Sequence, residues 1–258
     1  MNQDTEMKTE VLRPYSIAID GPTGAGKSTL AREIAKRLGC TYIDTGAMYR
    51  AIGLYVLRKN ILSDDVEKII NLLPEIELSI SHKEDGQHIF LNGEDVSRDI
   101  RTAEASIYAS NVSKIPQVRA FLLDSQRQLA GKSNTVMDGR DIGTVVLPNA
   151  DVKIFLTATP EQRALRRYLE MKENGIDITY ESVLDDLIWR DKNDSTRSVA
   201  PLRQAEDAVV LDTTGLTFEE SVEKALEIII SRIGNRASKA LSEAIDDRNR
   251  RKQSEDSL

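Results

Sequence analysis

The chain has 258 residues, 40% of them apolar, enough for one sizeable folded unit or two small ones. Its 35 Lys and Arg against 42 Asp and Glu leave a net charge of −7, which excludes a surface that grips a nucleic acid polymer throughout, since that affinity comes from phosphate neutralisation. One cysteine, Cys40, forms no intrachain disulfide, two histidines make no zinc cluster, and neither a secretory leader nor a run of ~18 apolar residues is visible, so the expectation is a cytoplasmic protein without a membrane span.

Residues 1–13 carry no apolar pattern and are expected to form a flexible N-terminal segment. Five short apolar runs follow along the chain, at 17–19, 42–43, 136–137, 152–156 and 209–211, each bounded by turn signals and followed by a helical pattern. Buried strands alternating with helices predict an α/β fold in three layers, with a five-stranded parallel sheet covered on both faces. The first helix is marked by Leu30, Ile34 and Leu38 with Ala31 and Ala35 beside them, and Gly39 stops it. From 63 to 113 the texture changes. Ile76, Leu78 and Ile80 alternate with Glu75, Glu77, Ser79 and Ser81, and Asp85-Gly86 and Asn92-Gly93 supply turns, which predicts a small antiparallel meander. That stretch holds four basic and eleven acidic residues, a net −7 equal to that of the whole chain, and reads as an inserted subdomain; the alternative is an edge hairpin of the main sheet. His82 and His88 fall there and are expected to be solvated strand residues without chemistry. Val222, Leu226, Ile229 and Ile233 mark a last helix. Residues 235–258 have eleven charges in 24 positions and only a sparse stripe of Ala237, Ala240, Leu241, Ala244 and Ile245, which reads as a polar, solvated tail.

The strongest chemical signal is Gly21-Pro22-Thr23-Gly24-Ala25-Gly26-Lys27-Ser28, running into Thr29, a phosphate-loop motif placed between the first strand and the first helix. Its glycines let successive N–H groups turn inward around a polyphosphate at the positive end of the helix. Lys27 would reach the β and γ phosphates and Ser28 would ligate Mg²⁺. At the end of the second strand, Asp44-Thr45-Gly46-Ala47-Met48-Tyr49-Arg50 offers Thr45 and Arg50 either as holders of a second anion or as a helix cap and a solvated arginine. Asp138-Gly139-Arg140-Asp141-Ile142-Gly143 puts Arg140 and two carboxylates at the carboxyl edge of the sheet, where Asp138 serves Mg²⁺ or is a turn carboxylate. Arg190 and Arg197, seven residues apart, would share a helix face before the break at Ser198-Val199-Ala200-Pro201; with Arg163, Arg166 and Arg167 they would close over phosphates as a mobile lid, about 160–200.

Taken in order, Ile19-Asp20-Gly21-Pro22, the 44–50 segment, Asp138-Gly139-Arg140-Asp141-Ile142-Gly143-Thr144-Val145-Val146 and Arg197-Ser198-Val199-Ala200-Pro201-Leu202 resemble the bacterial cytidylate kinases over about residues 14–233. The resemblance implies a P-loop kinase domain over 14–234 whose 63–113 insert binds a nucleoside monophosphate. It implies ATP-dependent phosphorylation of CMP and dCMP with Mg²⁺, in pyrimidine nucleotide metabolism, by a monomer. By the same likeness Thr45, Arg50, Arg140 and Arg197 hold the acceptor phosphate, Ser110, Arg119 and Asp141 face cytosine, and Arg190 and Asp194 face the ribose. Thr45 stands where some members have Ser, which keeps the hydroxyl. Three rivals stay open: a P-loop kinase of the same class for a small alcohol, which would need a general base; a non-catalytic nucleotide switch, disfavoured because no Asn-Lys-x-Asp segment occurs; and an interaction protein in which the tail accompanies a vestigial kinase.

Overall fold

All five apolar runs become strands of one sheet. The computed structural model describes residues 13–83, 86–234 and 236; the remainder of the expected N-terminal segment and tail, and Asp85 of the first expected turn, lie outside them. In chain order the elements are β1 (Ser16–Asp20), α1 (Lys27–Leu38), β2 (Thr41–Asp44), α2 (Thr45–Arg58), α3 (Val66–Leu72), β3 (Leu78–Lys83), β4 (Gly86–Leu91), β5 (Glu94–Asp95), α4 (Ala103–Val112), α5 (Pro116–Gly131), β6 (Thr135–Gly139), β7 (Val152–Thr157), α6 (Pro160–Glu173), α7 (Tyr180–Thr196), β8 (Val209–Asp212) and α8 (Phe218–Ile233). The main sheet is parallel with strand order β2-β6-β1-β7-β8. From the central β1 the chain first winds to one side and later to the other, so a crevice opens at the carboxyl end of β1.

Strand alternation sorts the core into two layers. Ile17, Ile19, Val136, Ile154 and Leu156 pack under α1 and α8 against Leu30, Ile34, Val222 and Ile229. Ala18, Ile43 and Met137 face the other way, with Ala130 of α5 and Ile142. Gly39 ends α1 in the left-handed conformation at φ 63°, and Thr217 with Glu220 forms a reciprocal cap at the start of α8.

The stretch 63–113 holds more than a meander. It contributes α3, α4 and a separate antiparallel sheet, β3-β4-β5, and Ile76 lies just ahead of that sheet rather than in it. Ile89 and Leu91 on the buried face join Met48 and Ile52 of α2 and Val118 and Leu122 of α5 in one apolar cluster. Among the described residues the hairpin makes no strand ladder with the main sheet, so it is not an edge hairpin of it. Two side chains reach across instead. Gln87 accepts from the Asp44 N–H (2.9 Å) and donates to the Asp44 carbonyl (3.3 Å), and His82 Nε2 hydrogen-bonds the Tyr42 carbonyl (2.7 Å). His88 Nδ1 lies 2.7 Å from Asp95, so neither histidine is merely solvated.

Helices α6 and α7 pack on each other through Ala164, Val183 and Leu187, with Tyr168 and Tyr180 edge to face at 6.3 Å. At the first and last of the described residues, Arg13 and Arg236 both bond the Asp151 carboxylate. Arg236 is therefore anchored, at the start of a segment expected to be solvated. Among the described residues no helix is long and apolar enough to cross a membrane.

Candidate active site

The loop from Gly21 to Ser28 leaves β1 so close to β7 that a Cβ on Gly21 would run into the Leu156 carbonyl oxygen. Gly26 enters α1 at φ 85°, left-handed, and no side chain caps the helix, so its first N–H groups remain available to an anion. Lys27 is buried and curls back, its Nζ donating to the Pro22 carbonyl at 2.6 Å. Burial holds its ammonium well below the usual lysine range, and Arg140 adds to that, while Asp138, Asp194 and Asp20 pull it back up.

At the end of β6, Asp138 accepts from Ser28 Oγ and from the Tyr42 hydroxyl, both at 2.8 Å. Burial and nearby Asp44 push its carboxyl upward, opposed by Lys27. The Thr45 hydroxyl donates to the Asp138 carbonyl at 2.9 Å, and it is Asp44, one residue earlier, that caps α2 by accepting from the Ala47 N–H. Arg50 folds back onto that same Asp44 at 2.8 Å.

Asp141, the next carboxylate along, is 4% exposed and stands between two arginines. Arg119, from the buried face of α5, pairs with one of its oxygens, and Arg197 approaches the other at 3.3 Å. Arg119 also donates to the Ser113 carbonyl and lies over the Tyr49 ring, 5.6 Å from its centroid. Burial raises the Asp141 carboxyl, and Arg119 and Arg197 oppose it. Ser110 lines the wall beside them.

Aspartates of α7 hold Arg140, Arg163 and Arg190. Arg140 bonds Asp194 (2.7 Å) and the Thr23 hydroxyl (2.9 Å), and Arg190 pairs with Asp186, one turn away, rather than with Asp194. Helix α7 ends at Thr196, so Arg197 stands on extended backbone and does not continue a face begun at Arg190. Arg166 donates twice to Thr213 beyond β8, and Arg167 pairs with Glu170. Arg163 departs from expectation. It is 3% exposed and turned inward, because the carbonyls of Ala158 and Thr23 and the Asp191 carboxylate satisfy its guanidinium.

A cleft of about 990 Å³ joins these groups; its walls include Thr23 to Thr29, Thr45, Arg50, Ser110, Arg119, Asp138, Arg140, Asp141, Arg166, Arg167, Arg190, Asp194 and Arg197. Gly21, Pro22 and Arg163 lie behind it. Four residues absent from the expected site bond into it: Asp20, Tyr42, Asp44 and Asp191, the last of which accepts from the Thr23 N–H at 3.2 Å and grips Arg163. Tyr42 had no signal beyond its place in a strand, whereas Asp20 and Asp44 sit inside motifs.

A cleft that brings an uncapped phosphate loop to a buried carboxylate between arginines can hold two anions and read a polar ring. Comparison with known proteins identifies the family. The family model described as "Cytidylate kinase" matches residues 17–231. The cytidylate kinase of Caldicellulosiruptor saccharolyticus is 54% identical over 224 residues, 87% of this chain and 99% of that protein. That of Bacillus subtilis is 50% identical over 217 residues, 84% of this chain and 97% of its own.

Proposed function

The chain belongs to the cytidylate kinase family, and on that premise we propose that it transfers the γ-phosphoryl group of ATP to CMP and dCMP by direct in-line displacement. The observation that carries this reading is Asp141, buried between Arg119 and Arg197 on the same cleft as the phosphate loop. Cytosine offers an N4 amine as donor and N3 and O2 as acceptors, so a carboxylate can accept from the amine while Arg119 donates to the ring. Uracil would turn its O4 acceptor toward the carboxylate, leaving buried polar groups unmatched.

No general base is required. A phosphate monoester has its second pKa near ~6, so at neutral pH the acceptor is already largely an oxyanion nucleophile. What this chain must supply is position and charge: Lys27 and the α1 amides for the donor, Thr45, Arg50, Arg140 and Arg197 for the acceptor, and Arg190 and Asp194 for the ribose. Arg50, Arg140 and Arg197 each pair with an aspartate here, Asp44, Asp194 and Asp141, and a guanidinium has five donors with which to meet a phosphate as well. Ser28 and Asp138 present two hard oxygens 2.8 Å apart at the cleft wall, a donor set that suits Mg²⁺ completed by water and phosphate oxygens. Mg²⁺ bound there supplies neutralisation of charge on the transferring group. The segment α6–α7 acts as the lid that excludes water.

Turnover of ATP measured against CMP, dCMP, UMP and AMP tests the reading. CMP and dCMP should be used best. Preference for another monophosphate, or for a small alcohol, would overturn the base assignment, and near-normal turnover by Lys27→Met would overturn the assignment of the loop.

A further inference from the structure

Asp20 has no part in the reading above. It is the last residue of β1, 5% exposed, and stands immediately before the phosphate loop. Its two oxygens accept from the main-chain N–H groups of Ile142 and Gly143, each at 2.7 Å. Those are the first amides of the single wide turn Ile142–Val146 that follows Asp141, and no side chain of that turn's own segment caps it. Asp20 thus does for this turn what a capping residue does for a helix, from 122 residues away in the chain. The fit is close, since a Cβ on Gly143 would stand 3.1 Å from the Lys153 side chain and 3.3 Å from Asp20 Oδ2. Burial lifts the Asp20 carboxyl to about 6, the two amides counter that, and nearby Asp141 raises it further while Lys27 lowers it. A carboxylate kept in so unfavourable a place, beside a second carboxylate, points to a task that a neutral side chain would not perform.

We propose that Asp20 is a positioning residue for base selection: by gripping Ile142 and Gly143 it fixes the backbone on which Asp141 is mounted to the strand that carries the phosphate loop. The proposal rests on the reading of Asp141 as the group that faces the base. Sequence spacing hides the link, because β1 and the 141–143 segment meet only through the parallel pairing of β1 with β6, where Asp20 lies opposite Gly139. Loss of the grip lets Asp141 drift, and misplacement of a group that discriminates by one hydrogen bond costs selectivity before it costs the fold.

Asp20→Asn tests this, because the amide keeps one acceptor but turns an NH₂ toward the second backbone N–H. Gly143→Ala presses on the same contact from the other side and keeps the test open should the first variant fold poorly. Steady-state kcat/KM is measured for CMP and UMP, with KM for ATP beside it and Asp141→Asn as reference. The expected result is a CMP/UMP ratio lowered about three- to tenfold in both variants, with KM for CMP rising and KM for ATP within about twofold of the parent. A merely structural Asp20 would lower the folded fraction and leave the ratio unmoved. If Asp141→Asn shifts the ratio and the other two variants do not, the positioning role is overturned while the reading of Asp141 stands. If Asp141→Asn leaves the ratio unchanged, the reading of the base site fails and this proposal fails with it.

Discussion

Replacing Arg236 with Ala should destabilise the fold although no cleft residue is touched. The guanidinium donates to Asp151 Oδ1 at 3.1 Å and to the Arg13 carbonyl at 2.7 Å, and it lies over the Tyr15 ring, 5.5 Å from the centroid. Its side chain is 25% exposed and that of Asp151 only 7%, so the pair is screened less than a surface bridge. A charge-assisted bond at such a site is worth about 1–2 kcal/mol, and the stacking on Tyr15 adds roughly 0.5 kcal/mol. A loss of about 2 kcal/mol lowers the melting temperature by roughly 4–8 °C for a chain of this size. The assay is urea denaturation of the parent, Arg236→Ala, Asp151→Asn and the double variant, with a coupling of about 1 kcal/mol expected between the two sites. Asp151 also accepts from the Ser16 N–H, so its own variant should be the costlier. A chain ending at Gly234 should behave like Arg236→Ala. If Arg236→Ala unfolds at the parent's urea midpoint, Arg236 does not anchor the fold.

Lys27→Met should abolish turnover while the protein keeps its fold, which kinetics together with circular dichroism would check. Asp141→Asn should change the CMP/UMP ratio of kcat/KM by about tenfold or more, and Arg119→Ala, which removes a donor both bases can use, should damage the two substrates more evenly. Asp138→Asn should lose activity yet gain stability in a pH-dependent way: the native carboxyl titrates near about 6, above its unfolded value, so the parent is stabilised at low pH and loses that stability as the pH rises through about 6. The variant's advantage in urea should therefore be absent at pH 4 and grow to the order of 1–3 kcal/mol by pH 8. An advantage independent of pH would show that charge burial is not its cause.

Strand positions and the phosphate loop were legible because each is written locally, in a run of apolar residues or a glycine spacing. The cap on α2 was visible in principle, for Asp44 precedes Ala47 by the usual three residues, yet Thr45 drew attention because its hydroxyl suits an anion. What stayed hidden depends on partners far along the chain. Arg163, Arg166 and Arg167 look equivalent on one helix, but only the first meets carbonyls of two loops and is drawn inside. Arg197 read as a helix residue because nothing in Ser195 or Thr196 announces the end of α7; both hydroxyls turn back to the Lys192 carbonyl. The insert's extra helices escaped notice because α3 is only seven residues long and α4 buries small side chains, Ala105 and Ala109, with Val112 the one larger residue it buries.

The reach of Gln87 and His82 across to β2 bears on solubility. β2 is an outermost strand, and such strands offer unpaired N–H and C=O groups as a template for any extended chain nearby. On this edge the Asp44 amide and carbonyl and the Tyr42 carbonyl are already engaged, so two side chains stand in for a sixth strand. Lesions that loosen the β3-β4 hairpin should therefore be felt first as self-association during expression, with light scattering rising before the melting temperature falls, even where the cleft is left unaltered.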